Sequence, residues 1–276
     1  MIEGVIIKGV GGQYTVDTGK GRYICNARGL FRKQKITPIV GDRVQISETT
    51  LMKIMPRANE LRRPRVANVD RVVIVLAAAE PDLHFELLDR YLAQAEYEGI
   101  EAAICINKTD LNEEIPEKVK EIYGPADYPV FVTSANKGEG TAELGEFLQG
   151  KTTVLAGPSG AGKSSLINAL VQRKLETGAV SKKIGRGRHT TRHTEFIPLE
   201  IGGGYVIDTP GFSSLEAPDV PKEQRAELFK EFRPWLGECN FRNCLHLSEE
   251  GCAIKEQVGL TIHPERYSRY KKMLTF

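Results

Sequence analysis

The hydrophobic positions change period along the chain, and the changes divide it. Over residues 1–66, short alternating stretches at Gly4–Val10, Gln13–Val16, Arg22–Asn26 and Arg43–Ile46 are separated by Gly11-Gly12, Thr18-Gly19-Lys20-Gly21 and Val40-Gly41-Asp42. Alternation with glycine turns at this spacing predicts a small β-barrel. A five-stranded barrel of the OB type is one such fold and a common oligonucleotide platform; the strand-rich composition alone equally fits an SH3-like barrel. From Asn68 the pattern becomes strand then helix, repeated. Arg71–Ala79 precedes helix-like Leu83–Tyr97, Ala102–Ile106 precedes Glu114–Ile122, Pro129–Val132 precedes Thr141–Leu148, and Thr153–Ala156 precedes Lys163–Val171. That alternation predicts an α/β sheet covered by helices. From Pro218 onward the pattern is helical with a cysteine-rich centre. The expected organisation is therefore a multidomain α/β chain: an OB-type barrel at 1–66, an α/β domain at 67–218 and a small, mainly helical module at 219–276.

Composition changes this picture in two respects. The longest apolar run, Val72 to Ala79, is far shorter than the roughly 20 residues of a membrane-spanning helix, and Met1 leads into a strand-like stretch instead of a secretory segment. A cytoplasmic protein without a membrane partner is expected. The overall charge of +2 conceals an asymmetry, because residues 1–66 hold 13 Lys/Arg against 5 Asp/Glu, a net +8, which leaves −6 for the remainder. A basic module joined to an acidic one points to a polyanion-binding head on a separate engine; a merely solvated basic face is the simpler alternative.

The engine carries nucleotide chemistry. Gly157-Pro158-Ser159-Gly160-Ala161-Gly162-Lys163-Ser164 fits the P-loop pattern in full and lies between a predicted strand and a predicted helix. Its glycines let successive backbone N–H groups converge on phosphate oxygens, and the helix start adds positive potential. Lys163 is expected to reach the β and γ phosphates and the Ser164 hydroxyl to hold Mg²⁺, with Ser165 counted among the nucleotide-binding residues. Asn107-Lys108-Thr109-Asp110 selects the base. A carboxylate at Asp110 accepts hydrogen bonds from N1–H and the 2-amino group of guanine, whereas adenine offers an acceptor at N1 and no amine at C2, so the pairing fails. Asn107 holds the loop and the N7 edge, and the stem of Lys108 covers the base face. One strand further on, Thr133-Ser134-Ala135 offers small residues whose backbone N–H groups, at Ser134 and Ala135, can approach guanine O6.

Asp208-Thr209-Pro210-Gly211 follows strand Tyr205–Ile207. There Asp208 is expected to hold Mg²⁺ through water, and the Gly211 N–H to contact the γ phosphate. Phe212 stands where many GTPases carry a water-orienting glutamine, so slow intrinsic hydrolysis is expected. Between these motifs, residues 181–192 hold five Lys/Arg and no acid. This is the expected first switch, with Thr191 as its Mg²⁺ ligand and Thr190 as the competitor. His189 is the local candidate for positioning the attacking water, the alternative being an RNA or phosphate contact. Gly202-Gly203-Gly204 is read as a turn between two strands.

Cys25 and Cys105 stand alone in strand-like sequence and are read as core. Cys239, Cys244, His246 and Cys252 instead give four soft or borderline ligands within 14 residues. In a reducing compartment such a cluster indicates metal before disulfide. Cys₃His is a recognised structural zinc set, and one structural Zn²⁺ is expected there.

The order of motifs is itself informative. The guanine motif comes first, then Thr133–Ala135, the P-loop, Thr191 and Asp208–Gly211. The cyclic order of ordinary small GTPases is kept while the chain opens elsewhere, which is a circular permutation. With the basic barrel, the Arg65-Val66-Ala67-Asn68-Val69-Asp70 stretch, residues 185–191 and the Cys₃His cluster, nearly the whole chain resembles the RsgA or YjeQ family of ribosome small subunit-dependent GTPases. The resemblance implies a late small-subunit assembly factor that hydrolyses GTP to GDP, binds the 30S particle and its 16S rRNA, and is stimulated by it. It also implies that His189 aids hydrolysis. A monomer is expected. Two rival readings are a permuted GTPase acting on the large subunit and a non-enzymatic RNA-binding scaffold that senses GTP, which Phe212 keeps open.

Overall fold

The computed structural model describes residues 1–29, 31, 35–62, 65–176, 195–199, 202–208 and 218–275. They fall into two compact units: one from residues 1–72, 141–156 and 163–213, the other from 73–140, 157–162 and 214–276.

The first unit holds the barrel. Strands β1 (Ile2–Val10), β2 (Gln13–Asp17), β3 (Arg22–Ala27), β4 (Arg43–Ser47) and β5 (Thr50–Ile54) run in the order β1-β2-β3-β5-β4, and β4 returns to pair with β1. The β3–β5 pair is parallel and the other pairs are antiparallel. This closed five-stranded topology is the OB arrangement and decides against an SH3-like barrel. Inward positions follow the period of two: Ile6, Val16, Cys25, Val44, Ile46 and Leu51 fill the interior with Phe31. β5 was not expected from the sequence, where Thr50–Ile54 interrupts its apolar alternation with Lys53. The same unit contains a hairpin of β6 (Glu60–Arg62) and β7 (Arg65–Ala67). Its other strands are β11 (Thr152–Ala156), β12 (Glu195–Pro198) and β13 (Tyr205–Asp208). β11 and β13 are parallel, β12 and β13 antiparallel, and β12 meets β1 with Lys8 opposite Glu195. The turn expected at Gly202–Gly204 lies between β12 and β13, closed by Leu199 N–H donating to the Gly204 carbonyl (2.9 Å).

Strands β8 (Arg71–Ala77), β9 (Glu101–Asn107) and β10 (Val130–Val132) lie in the order β10-β9-β8, with β9 and β10 parallel, and belong to the second unit from Val73 onward. Helix α1 (Phe85–Tyr97) follows β8 and α2 (Glu114–Tyr123) follows β9. Every residue of β9 after Glu101 is buried, as expected of a strand covered on both faces. In the first unit α3 (Thr141–Leu148) and α4 (Lys163–Glu176) pack together, and Gly145 allows the approach, since a Cβ there would sit 3.3 Å from Leu170.

The C-terminal module belongs to the second unit. It is helical, but largely as 3₁₀ turns at Lys222–Leu228 and Lys230–Trp235, followed by α5 (Ala253–Glu256) and α6 (Pro264–Met273). Its core of Phe229, Phe232, Ile254, Ile262 and Tyr270 includes Ala93 of α1. The rings of Phe229 and Phe232 meet Tyr270 edge-on at 5.2 and 5.0 Å. No helix among the described residues is long and apolar enough to cross a membrane.

Candidate nucleotide site and metal centre

The second unit brings the residues expected to recognise the base together around one buried side chain. Asn107 ends β9 and is 1% exposed. Its Oδ1 accepts the Ala135 N–H (3.1 Å) and the Thr133 hydroxyl (3.2 Å), while its Nδ2 donates to the Ala161 carbonyl (3.0 Å). One amide thus joins the guanine-specificity loop, the 133–135 loop and the phosphate loop. The sequence marks Thr133 only as a small residue of the Thr133-Ser134-Ala135 motif and assigns its hydroxyl no role; Thr133 is fully buried and also lies 3.4 Å from Cys105 Sγ. A hydroxyl beside an expected backbone contact was the available signal.

Asp110 is exposed. The Ser134 hydroxyl donates to its Oδ1 (2.6 Å). That hydrogen bond, helped by the charges of Lys137 and Lys108, holds the Asp110 carboxyl below its usual range. The carboxylate is therefore ionised and acceptor-only, the form that fits guanine N1–H and its 2-amino group. Thr109 is tied to the Thr133 carbonyl through its N–H (3.3 Å) and hydroxyl (3.1 Å). Lys108, at φ 59°, sends its Nζ to the Glu80 carbonyl. Glu80 follows β8 and no sequence motif marked it.

Glycine is required where the phosphate loop passes this cluster. Gly157, Gly160 and Gly162 have φ of 136°, 83° and 89°. A Cβ on Gly157 would lie 2.0 Å from the Val75 carbonyl oxygen, and one on Gly162 would lie 2.2 Å from Asn107 Nδ2. Backbone curvature of this kind can turn successive N–H groups toward one point, where an anion is held. Ala161 is buried, Pro158 is half-buried and Ser159 is exposed. In the first unit, Lys163, Ser164 and Ser165 form the first turn of α4, with Ser164 and Ser165 exposed. Asp208 closes β13, its backbone in register with Leu155 and Glu195. His189, Thr190, Thr191, Gly211 and Phe212 lie outside the described residues.

In the C-terminal module, Cys239, Cys244, His246 and Cys252 place one donor atom each within 4.8 Å of all the others. Cys239 Sγ and Cys252 Sγ are 3.9 Å apart, and His246 Nδ1 is 3.5 and 3.4 Å from them. A tetrahedron with metal–sulfur bonds of about 2.3 Å has sulfur–sulfur edges of roughly 3.8 Å, so the spacing fits a small divalent ion. His246 reaches this position at φ 60°, and its carbonyl accepts the Tyr267 hydroxyl (2.7 Å). The Glu249 carboxylate accepts the N–H groups of Leu245 (2.7 Å), Leu247 (2.7 Å) and Ser248 (3.0 Å). Burial opposes its charge, but those bonds outweigh burial and hold its pKa down at about 2. Burial pushes the Cys244 thiol up to about 12 and lowers His246. Thiolates in such surroundings need a cation beside them.

A P-loop and a guanine-specificity loop joined by one buried asparagine, with their motifs in permuted chain order, define a circularly permuted guanine-nucleotide-binding protein. Residues 54–218 match the RsgA GTPase family, and residues 3–52 match the RsgA N-terminal domain. The chain belongs to the RsgA GTPase family and is a GTP hydrolase. It is 45% identical over 286 residues to the small ribosomal subunit biogenesis GTPase RsgA of Alkaliphilus metalliredigens, covering 99% of this chain and 97% of that one. It is also 45% identical to the protein of the same name from Caldanaerobacter subterraneus, covering 99% and 95%. Among solved structures it is similar to YjeQ from Thermotoga maritima (TM-score 0.86, 35% identity, 99% and 97% covered). It is likewise similar to YloQ, described as a circularly permuted GTPase (TM-score 0.82, 38% identity, 100% and 94% covered).

Proposed function

We propose that this GTPase acts in biogenesis of the small ribosomal subunit, binding the 30S particle through its 16S rRNA and hydrolysing GTP to GDP there. The observation that carries the guanine half of this reading is the Asn107 amide, which joins the base loop to the phosphate loop while Asp110 faces outward beside Ser134. The ribosomal half rests on nearly full-length similarity to proteins named for small-subunit biogenesis, together with the +8 charge of residues 1–66.

In this reading Asn107, Lys108, Asp110, Ser134 and Ala135 bind the guanine, while residues 157–165 bind the phosphates. Ser164, Asp208 and Thr191 hold Mg²⁺, which neutralises charge on the phosphate oxygens. Lys163 stabilises the transferring phosphoryl group, Gly211 senses the γ phosphate and His189 orients the water. Cys239, Cys244, His246 and Cys252 hold one structural Zn²⁺. The functional division is 1–66 for RNA, 67–218 for the nucleotide and 219–276 for zinc, in a cytoplasmic monomer with no membrane partner. Multiple-turnover phosphate release with and without purified small subunits tests the reading. Stimulation by small but not large subunits is expected, and release indifferent to both would overturn it.

A further inference from the structure

The C-terminal module grips the nucleotide-binding half of the second unit through a buried ionic cluster that none of the residues discussed so far requires. Arg266 of α6 is 1% exposed. Its Nε and Nη2 donate to the two Glu231 oxygens (2.6 and 3.1 Å), and its Nη1 donates to Asp89 Oδ1. Arg269, one turn on, donates its Nε to Asp89 Oδ2. The Tyr123 hydroxyl donates to Asp89 Oδ1 (2.6 Å). Both oxygens of Asp89, a carboxylate in the second turn of α1, are therefore held, and two of the donors come from the C-terminal module. Burial opposes the charge on Arg266, but Asp89 and Glu231 outweigh it and keep the guanidinium firmly protonated. A desolvated network of this kind tolerates little sliding, because each displaced partner is left as an uncompensated buried charge.

What the cluster fixes is the start of α1. Phe85, its first residue, stacks on Tyr123 (6.4 Å, 12°) under the Arg269 guanidinium (5.2 Å). Glu86 pairs with Lys272 (2.6 Å). The residues immediately before the helix form part of the nucleotide site. The Glu80 carbonyl receives Lys108 Nζ, and Pro81 lies 3.3 Å from where a Cβ on Gly160 would sit. Four residues, 81–84, thus separate the Glu80 contact to Lys108 from a helix end clamped by α6.

We propose that Arg266 and Arg269 are positioning residues for guanine-nucleotide retention, acting through Asp89 and α1 on the 79–84 segment that seats Lys108 and borders Gly160. Any partner that tilts the C-terminal module would change nucleotide off-rates through this path, and nucleotide would reciprocally change its grip on the partner. The inference rests on the assignment of Lys108 to the guanine face, so the test separates the two.

The experiment follows release of a fluorescent GDP analogue from the full-length, metal-loaded chain. Arg269→Gln and the milder Tyr123→Phe, which keeps the ring stack and loses only the hydroxyl, are each made alone and in a Lys108→Ala background. Arg269→Gln is expected to speed release roughly five- to tenfold, with Tyr123→Phe smaller in the same direction and Arg269→Lys partly restoring retention. In the Lys108→Ala background the added effect of either change should largely vanish, since groups acting through one contact are not additive. A lowered melting temperature with unchanged release would make the cluster purely structural and overturn the inference, as would full additivity with Lys108→Ala. Should Arg269→Gln fail to fold, the Tyr123→Phe cycle decides alone. If Lys108→Ala itself leaves release unchanged, the guanine assignment fails, and the inference with it.

Discussion

In the proposed site, guanine selection falls to the Asp110 carboxylate and the Ser134 hydroxyl that donates to it. Asp110→Asn exchanges an acceptor for a donor at the position facing N1 and the 2-amino group. GTP affinity should fall by roughly 2–4 kcal/mol while xanthine nucleotides gain. Competition binding with GTP and XTP checks this, and an unchanged GTP affinity would remove Asp110 from the base site. Gly162 is constrained twice, by φ of 89° and by Asn107 Nδ2 lying 2.2 Å from any Cβ. Gly162→Ala must therefore displace Asn107, which holds three loops. Nucleotide affinity should drop at least about tenfold, equivalent to roughly 1.4 kcal/mol, with little change in the barrel. Isothermal titration with GDP measures it. In the proposed chemistry, His189→Ala should slow stimulated hydrolysis and leave GTP affinity nearly intact, because water positioning matters only in the transition state. Equal stimulated rates in single-turnover assays would leave His189 as an RNA contact.

At the scale of elements, the C-terminal module has two supports: in the proposed reading a metal ion at Cys239, Cys244, His246 and Cys252, and the ionic cluster. With only short helices and 3₁₀ turns around a modest aromatic core, its folding should depend on the ion. Chelation, or Cys244→Ser, is expected to release one equivalent of zinc and to unfold residues near 239–252 while the barrel keeps its protection. Hydrogen exchange read by peptide, alongside metal analysis, checks both parts. Arg266→Met should cost about 3–5 kcal/mol, since Asp89 and Glu231 would remain buried with a missing partner, and denaturant unfolding of the metal-loaded protein reads that loss. This second support was illegible beforehand. Asp89 and Arg266 are 177 residues apart in the chain, and charged residues on short amphipathic helices are ordinarily solvated. One cue was available, because Asp89 lies on the same face as Leu88 and Leu92, where a lone acid requires a partner.

For the molecule as a whole, binding to small subunits should weaken as salt rises, because lysines and arginines release counterions from phosphate. The +8 charge of residues 1–66 makes the barrel the principal contributor. Sedimentation with subunits at increasing salt tests this, and salt-insensitive binding would contradict it. The chain alone supplied the motifs on which the proposed chemistry rests. The P-loop, Asn107–Asp110 and Cys239–Cys252 are legible because phosphate, guanine and metal each demand fixed residue types at close spacing, and a local backbone segment supplies them. It also determined most α/β elements, whose burial on both faces leaves continuous apolar strands. Tertiary structure alone decided the rest. The barrel is of OB type because β5 pairs parallel with β3 and β4 closes on β1, and strand pairing is a non-local choice that alternation does not encode. The Thr133 hydroxyl reaches Asn107, the Glu80 carbonyl receives Lys108, and Asp89 meets Arg266 and Arg269 only because folding brings distant residues together, where hydrogen bonds and charges worth little in water become exacting.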